Sequence, residues 1–240
     1  MSNGPSAGGD PVLRIEHVTK GYQGLRPLRV SSLAIGEGER VTIAGLDGPA
    51  AELLVNLITG ASLPDQGGVW TLGRNTADIN NPDDWLAWLD HFGIVGDRGV
   101  LLEAASLEQN LALPLTLEID PVPAGVAAQV RALARECGLP DGLLAAPAGE
   151  LPPEARIRAH LARAVALSPR LLLVEHPTAQ VPDAARPGLA GDLARVCDAR
   201  RLAALVITND DPFARAAAPR NLKLDAATGE LRPLKKGWLR

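Results

Sequence analysis

Residues 40–58 constrain the fold more than any other stretch of the chain. Arg40–Ala44 is a short run with β-branched residues, Gly45 and Gly48 punctuate a turn, and Ala51–Ile58 carries apolar residues at helical spacing, with Gly60 as a stop. A strand that feeds a helix through a glycine turn brings backbone N–H groups and a helix N-terminus to one point. That is the frame a phosphate-binding loop requires.

The remaining pattern extends this unit into an α/β protein. Val12–Val18 alternates apolar and polar residues, and Leu25–Ile35 does so more loosely beyond Gly21 and Gly24, which predicts an antiparallel start. Gly67–Leu72 and Phe92–Val95 read as strands separated by the polar Asn75–Asp84. Trp85 and Trp88, three apart, would share the packing face of a helix. Helical spacing recurs over Ser106–Leu115, Val126–Gly138, Glu154–Leu167, Leu189–Ala199 and Pro212–Ala218. Leu171–Val174 and Ala203–Thr208 are continuous apolar runs of the kind buried in parallel sheets, and Asn221–Leu224 with Glu230–Pro233 reads as a terminal hairpin around Thr228 and Gly229. Strands alternating with helices predict a parallel sheet core with helices on both faces, an antiparallel β region at the N-terminus and a helical subdomain at about 98–160.

Composition narrows the class. Hydrophobic residues make up 46% of the 240 and charged residues 22%, a globular balance, and no apolar stretch reaches the roughly 20 residues of a membrane helix. Residues 11–234 are therefore expected to form one large α/β unit between a Gly- and Ser-rich tail at 1–10, which lacks the features of a secretory signal, and a basic tail at 235–240. Cys137 and Cys197 lie far apart outside any C-x-x-C pair, which argues against a disulfide framework or thiolate metal site and suits a reducing cytoplasm. A net charge of −4 with 3% aromatic residues gives no case for nucleic acid.

The order of these segments, from Val12 to about Leu231, resembles the nucleotide-binding subunits of ABC transporters. The resemblance places Gly45 to Glu52 on the family's phosphate loop, Leu151, Pro152, Pro153, Glu154 and Ala155 on its signature, and Ser168 to Thr178 on its Walker B strand and the residues beyond. Ile207–Asp210 corresponds to the switch segment, Phe92–Asp97 to the approach to the glutamine loop, and Tyr22 to the aromatic residue that stacks on adenine. It implies ATP and Mg as cofactors, Gly45, Gly48, Ala51, Glu52 and Asp97 around the nucleotide, Glu175 as the Mg ligand, and His176 and Asn209 at the catalytic positions. It also implies an integral membrane permease as partner, a homodimer or a heterodimer with another ABC ATPase subunit, and a cytoplasmic, peripheral station at the inner face of the membrane. Leu107–Leu117 is faintly similar to members that handle lipids or lipoproteins.

At each of these positions the chemistry departs from the family pattern. The motif G-x-x-x-x-G-K-[ST] begun at Gly45 arrives at Ala50, Ala51 and Glu52, so the second Gly, the Lys and the hydroxyl are missing. Pro49 removes a backbone donor, Ala51 brings no charge to a terminal phosphate, and Glu52 places a carboxylate near an expected anion. Two like charges about 4 Å apart repel by roughly 4 kcal/mol at an effective dielectric near 20. As a first-turn residue Glu52 would also favour an empty helix N-terminus.

Glu175 and His176 stand where Asp and a catalytic Glu are expected, Asn209 replaces a His, and Asp97 replaces a Gln. An amide cannot titrate, and an imidazole is a poor substitute for a carboxylate that orients and deprotonates water. The resulting expectation is an ABC-type subunit that is catalytically degenerate and acts as scaffold or regulator, the alternative being a divergent but active ATPase. Plain packing roles are open for Tyr22, as a turn residue, and for His17 and His160, which lack ligand-spaced partners.

Overall fold

The structure, a computed structural model, describes residues 10–96 and 99–235. Of the expected tails, residues 1–9 and 236–240 lie outside the described residues, as does Asp97.

Two sheets organise the chain. The first is antiparallel: β1 (Leu13–Lys20) lies between β2 (Leu28–Ile35) and β4 (Gln66–Thr71), with the short β5 (Arg74–Asn75) at its edge. β2 begins later than the alternation suggested, and Leu25 is fully exposed. His17 has a positive φ where the pairing of β1 with β4 shifts register, so it marks a bulge in that strand.

The second sheet holds β3 (Arg40–Ala44), β6 (Phe92–Val95), β7 (Leu171–Glu175), β8 (Ala203–Ile207), β9 (Arg220–Leu224) and β10 (Leu231–Pro233) in the order β10-β9-β3-β8-β7-β6. All neighbours in it are parallel except β10, which closes the terminal hairpin against β9.

The period of two along β7 and β8 divides the core. Leu171, Leu173, Ala203, Leu205 and Ile207 join one cluster with the antiparallel sheet and helix α1 (Gly48–Ile58). Leu172, Val174, Ala204 and Val206 join the other, with α3 (Leu107–Ala112), α4 (Ala124–Glu136), α5 (Pro153–Val165), α6 (Arg186–Arg200) and α7 (Asp211–Ala217). Burial on both faces is why these strands read as unbroken apolar runs.

Local capping sets the helix ends. Ser106 and Gln109 form a reciprocal capping box at the start of α3. Asn81 caps α2 (Pro82–Leu89), which emerges within and beyond the polar stretch that the sequence reading left between strands. On α2, Trp85 donates to the Thr59 carbonyl at 3.2 Å, while Trp88 packs edge-on against His91 and Phe92. Helix α6 starts at Arg186, ahead of Pro187, because proline suits the first turn of a helix.

One correction bears on function. Helix α1 starts at Gly48 rather than Ala51, since Asp47 caps it and Pro49 occupies its first turn. Glu52 therefore lies in the second turn and is exposed, so it is not the first-turn acid expected from sequence.

Candidate nucleotide-binding site

The loop between β3 and α1 is held in place from three directions. Gly45 has φ +95°, and a Cβ there would come within 2.6 Å of the Leu224 carbonyl oxygen, so only glycine fits beside β9. Asn209, at the turn after β8, accepts the Gly45 N–H at 2.8 Å and donates its amide to the Leu46 carbonyl at 2.9 Å. Asp47 accepts the Ala50 N–H at 2.9 Å through its carboxylate, and its carbonyl accepts the Ala51 N–H at 2.9 Å.

These contacts engage the Gly45, Ala50 and Ala51 N–H groups of the loop. The Asp47 carboxylate sits at the N-terminus of α1, where the helix end attracts negative charge. Ala50 and Ala51 are buried at 4% and 0% exposure and pack into the core rather than lining a cavity. Neither an ammonium nor a hydroxyl group stands in the loop, so it lacks the side chains that grip terminal phosphates and Mg²⁺ in a phosphate loop. Among the described residues no three His, Cys, Asp or Glu side chains gather as a metal site. The residues do not fit Mg-ATP in the manner of an intact phosphate loop, and no chemical step through that group is derived.

Tyr22 is placed beside this loop. Its ring packs on the same core cluster as α1, and the hydroxyl is held above its ordinary pKa, first by burial and then by the negative charge of Asp47. Gly24 has no Cβ, and one there would lie 2.4 Å from the Tyr22 ring.

Glu175 and His176 end β7 at the carboxyl edge of the sheet, where α/β proteins place ligands. Glu175 is half-buried and lies against Gly96, where a Cβ would be 3.2 Å from its own. His176 turns the chain with φ +42°, its N–H donating to the Ile207 carbonyl at 2.8 Å, and its Nε2 is buried without a hydrogen-bond partner. His176 and Asn209 line one cleft of about 810 Å³. His176 also lines a smaller cavity of about 230 Å³ with Pro153, Arg156 and His160, which brings the signature segment next to β7 and gives His160 a place the sequence did not suggest.

The signature segment itself is tied off. Leu151 and Ala155 are buried, Pro152 occupies the cap position of α5 without a side-chain cap, and Pro153 opens the helix. Arg156 folds back to donate to the carbonyls of Leu151 at 3.0 Å and Gly149 at 2.5 Å, while Glu154 stands in the first turn.

The sequence alone did not assign Asp47 its role as the cap of α1. The pattern Asp47, Gly48, Pro49 is a helix-start signal that could have revealed the cap. The contacts of Asn209 across 163 and 164 positions have no such local signal.

Comparison with known proteins agrees with this architecture. The ABC transporter family model matches residues 28–179. The ABC transporter ATP-binding protein YxdL of Bacillus subtilis is 28% identical over 207 residues, covering 83% of this chain and 78% of that protein. The lipoprotein-releasing system ATP-binding protein LolD of Acinetobacter baylyi is 28% identical over 202 residues, covering 84% and 88%. Among solved structures, the ATP-binding cassette MJ0796, a dimer bound to ADP and Pi in a post-hydrolysis state, superposes with a TM-score of 0.75 at 22% identity, covering 94% of this chain and 100% of that one. A family match over most of the chain and a shared fold lead to one conclusion: the chain belongs to the ABC transporter family, as a subunit of the ATP-binding type.

Proposed function

We propose that this chain is a catalytically degenerate ATP-binding-type subunit that serves an integral membrane permease as scaffold or regulatory partner, from the cytoplasmic side of the membrane. The observation that carries this reading is the self-occupied loop: Asp47 caps the N-terminus of α1 while Asn209 holds Gly45 and Leu46. An incoming phosphate would have to displace a carboxylate already in place, with no lysine to offset the charge. Asn209 is committed to the loop and His176 replaces the expected carboxylate, so water activation lacks its usual base. ATP and Mg are the family's cofactors, and binding here is weak or lost.

The relatives support the transport setting. Besides LolD, the macrolide export ATP-binding/permease protein MacB of Photorhabdus laumondii matches 85% of this chain. By the same likeness the chain pairs as a homodimer or with a second, intact ATP-binding subunit. A divergent but active ATPase is the second reading, and Glu175, a carboxylate kept at the end of β7, is the observation that favours it. Calorimetric titration of the purified chain with Mg-ATP separates the two. Heat too small to fit is expected, and micromolar affinity would overturn the proposal.

A further inference from the structure

We propose that a relay of charged contacts clamps helices α4, α5 and α6 to the central sheet, so that α4, α5 and segment 99–106 move with the sheet as one rigid body. The clamp rests on these contacts alone. Its use, as a scaffold that offers a permease a surface of fixed shape, rests on the function proposed above.

The relay starts at β3. Arg40, the first residue of that strand, donates Nε to the Ala217 carbonyl at the end of α7 at 3.0 Å and pairs Nη1 with Asp198 of α6. From α6 the contacts run outward. Asp192 accepts Nε of Arg158, on α5, at 2.8 Å and Nη2 of Arg195 at 2.5 Å. The Arg158 and Asp192 side chains are 14% and 19% exposed, so solvent screens their pair little. Gly138, with φ +78° just past α4, closes over this carboxylate, and a Cβ there would lie 2.4 Å from Asp192 Oδ2.

Arg200, the last residue of α6, ties three helices at once. Its Nε and Nη2 hold both oxygens of Glu136, at the end of α4, at 2.6 and 2.7 Å, and its Nη1 donates to the Val165 carbonyl, at the end of α5, at 2.6 Å. Arg195 adds a bond to the Glu136 carbonyl at 2.6 Å. The hold extends to the exposed segment. Arg163 of α5 donates to the Val100 carbonyl at 2.6 Å, and the buried Asn110 of α3 accepts the Leu102 N–H at 2.8 Å and donates to the Leu102 carbonyl at 3.0 Å.

Direction is what these contacts add to packing. Apolar burial has no preferred direction, whereas a guanidinium that grips both oxygens of a carboxylate fixes angle as well as distance. Moving α4 or α5 against α6 would strand a partly buried charge, which costs far more than losing an exposed pair. The helices are therefore held in one arrangement.

The test is the distance distribution between spin labels on Gln129→Cys, at an exposed position of α4, and Lys223→Cys, at an exposed position of β9, measured by pulsed electron resonance on the full chain. Cys137 and Cys197 are buried, and burial pushes their thiols up to about 12, so the label takes the introduced pair. One narrow peak is expected. Glu136→Gln keeps the shape and removes the charge that Arg200 grips. A hydrogen bond to a charged group is worth about tenfold or more in an equilibrium, so the peak should broaden or gain a second. Arg131→Ala, which breaks the exposed 3.7 Å pair with Glu108, should leave the peak unchanged. If Glu136→Gln does not fold by circular dichroism, Arg195→Ala, a more exposed member of the relay, is read in its place. A broad or double peak in the parent, an unchanged peak in the clamp variant, or equal broadening in Arg131→Ala would overturn the proposal. The measurement uses neither permease nor nucleotide, so its failure leaves the proposed function untouched, and micromolar affinity for Mg-ATP would leave the clamp untouched.

Discussion

The side-chain oxygen of Asn209 accepts the backbone N–H of Gly45 at 2.8 Å, joining the end of β8 to the loop after β3. The same amide donates to Leu46, so one residue fixes both the donor and the acceptor side of the turn. Asn209→Ala should lower stability by about 1–2 kcal/mol, the worth of two neutral hydrogen bonds. It should also speed hydrogen exchange at the Gly45 amide. Asn209→Asp, which keeps the acceptor and loses the donor, should protect Gly45 better than alanine does. Exchange at Gly45 that is the same in all three proteins would show that Asn209 does not hold the loop.

Asp47 and Tyr22 give a second, spectroscopic reading of this loop. Tyr22 is the single tyrosine of the chain, so its ionisation can be followed alone by ultraviolet absorbance in alkaline titration. Burial and the Asp47 charge both raise its pKa, with burial the larger cause. A raised folded value means that the neutral phenol contributes stability below the ordinary tyrosine pKa, and that this is lost as pH rises through the folded value. Asp47→Asn keeps the cap on α1 and removes the charge. The Tyr22 midpoint should then fall part of the way toward the ordinary value, the rest being held by burial. An unchanged midpoint would mean that the carboxylate does not act on the ring.

How far the sequence reached depends on whether the signal was local. β3 and β6 were legible to the residue because each is a short apolar run closed by glycine. Trp85 and Trp88 marked a helix face, but the start of α2 at Pro82, which Asn81 caps, was hidden because Asp83 and Asp84 make its first turn look like a polar connection. Within the site, the missing Lys and hydroxyl could be read from the spacing after Gly45. What replaces them could not: the cap by Asp47 needs the true start of α1, and the grip of Asn209 needs β3 and β8 to be neighbours. His160 looked ordinary because its proximity to His176 arises only when α5 packs along β6, the neighbour of β7.

Val100 and Leu102 are exposed apolar residues in the segment between β6 and α3, at 73% and 46% exposure. Large apolar groups left in water on one short segment suit a partner surface. Because neither side chain is buried, Val100→Glu and Leu102→Glu should shift the unfolding midpoint by less than about 0.5 kcal/mol equivalent. If the proposed permease docks on this segment, both should reduce recovery of the chain with membranes that carry that permease. Full membrane recovery of the double variant would remove this segment from the docking surface.

The proposed loss of catalysis is tested most severely by restoring the loop alone. Ala50→Gly, Ala51→Lys and Glu52→Ser together rebuild the phosphate-loop pattern begun at Gly45. Ala51 is fully buried among the apolar residues of α1, so a lysine there must carry its ammonium out past the core. Overpacking of this kind costs typically 1–3 kcal/mol, which urea denaturation would register while circular dichroism confirms the fold. Asp47 would still cap the helix and Asn209 would still hold Gly45, so the loop would stay closed to phosphate. His176 would still stand where a carboxylate base is expected, with its Nε2 unpartnered. Pro152 and Pro153 donate no N–H at the signature, and Glu154 adds negative charge there. Phosphate release by the triple variant, alone or mixed with an intact ATP-binding subunit, should therefore remain near background. Turnover approaching about 1 s⁻¹, the low end of ordinary enzyme rates, in a variant that remains folded would show that the other site residues are competent and that the degenerate reading is wrong.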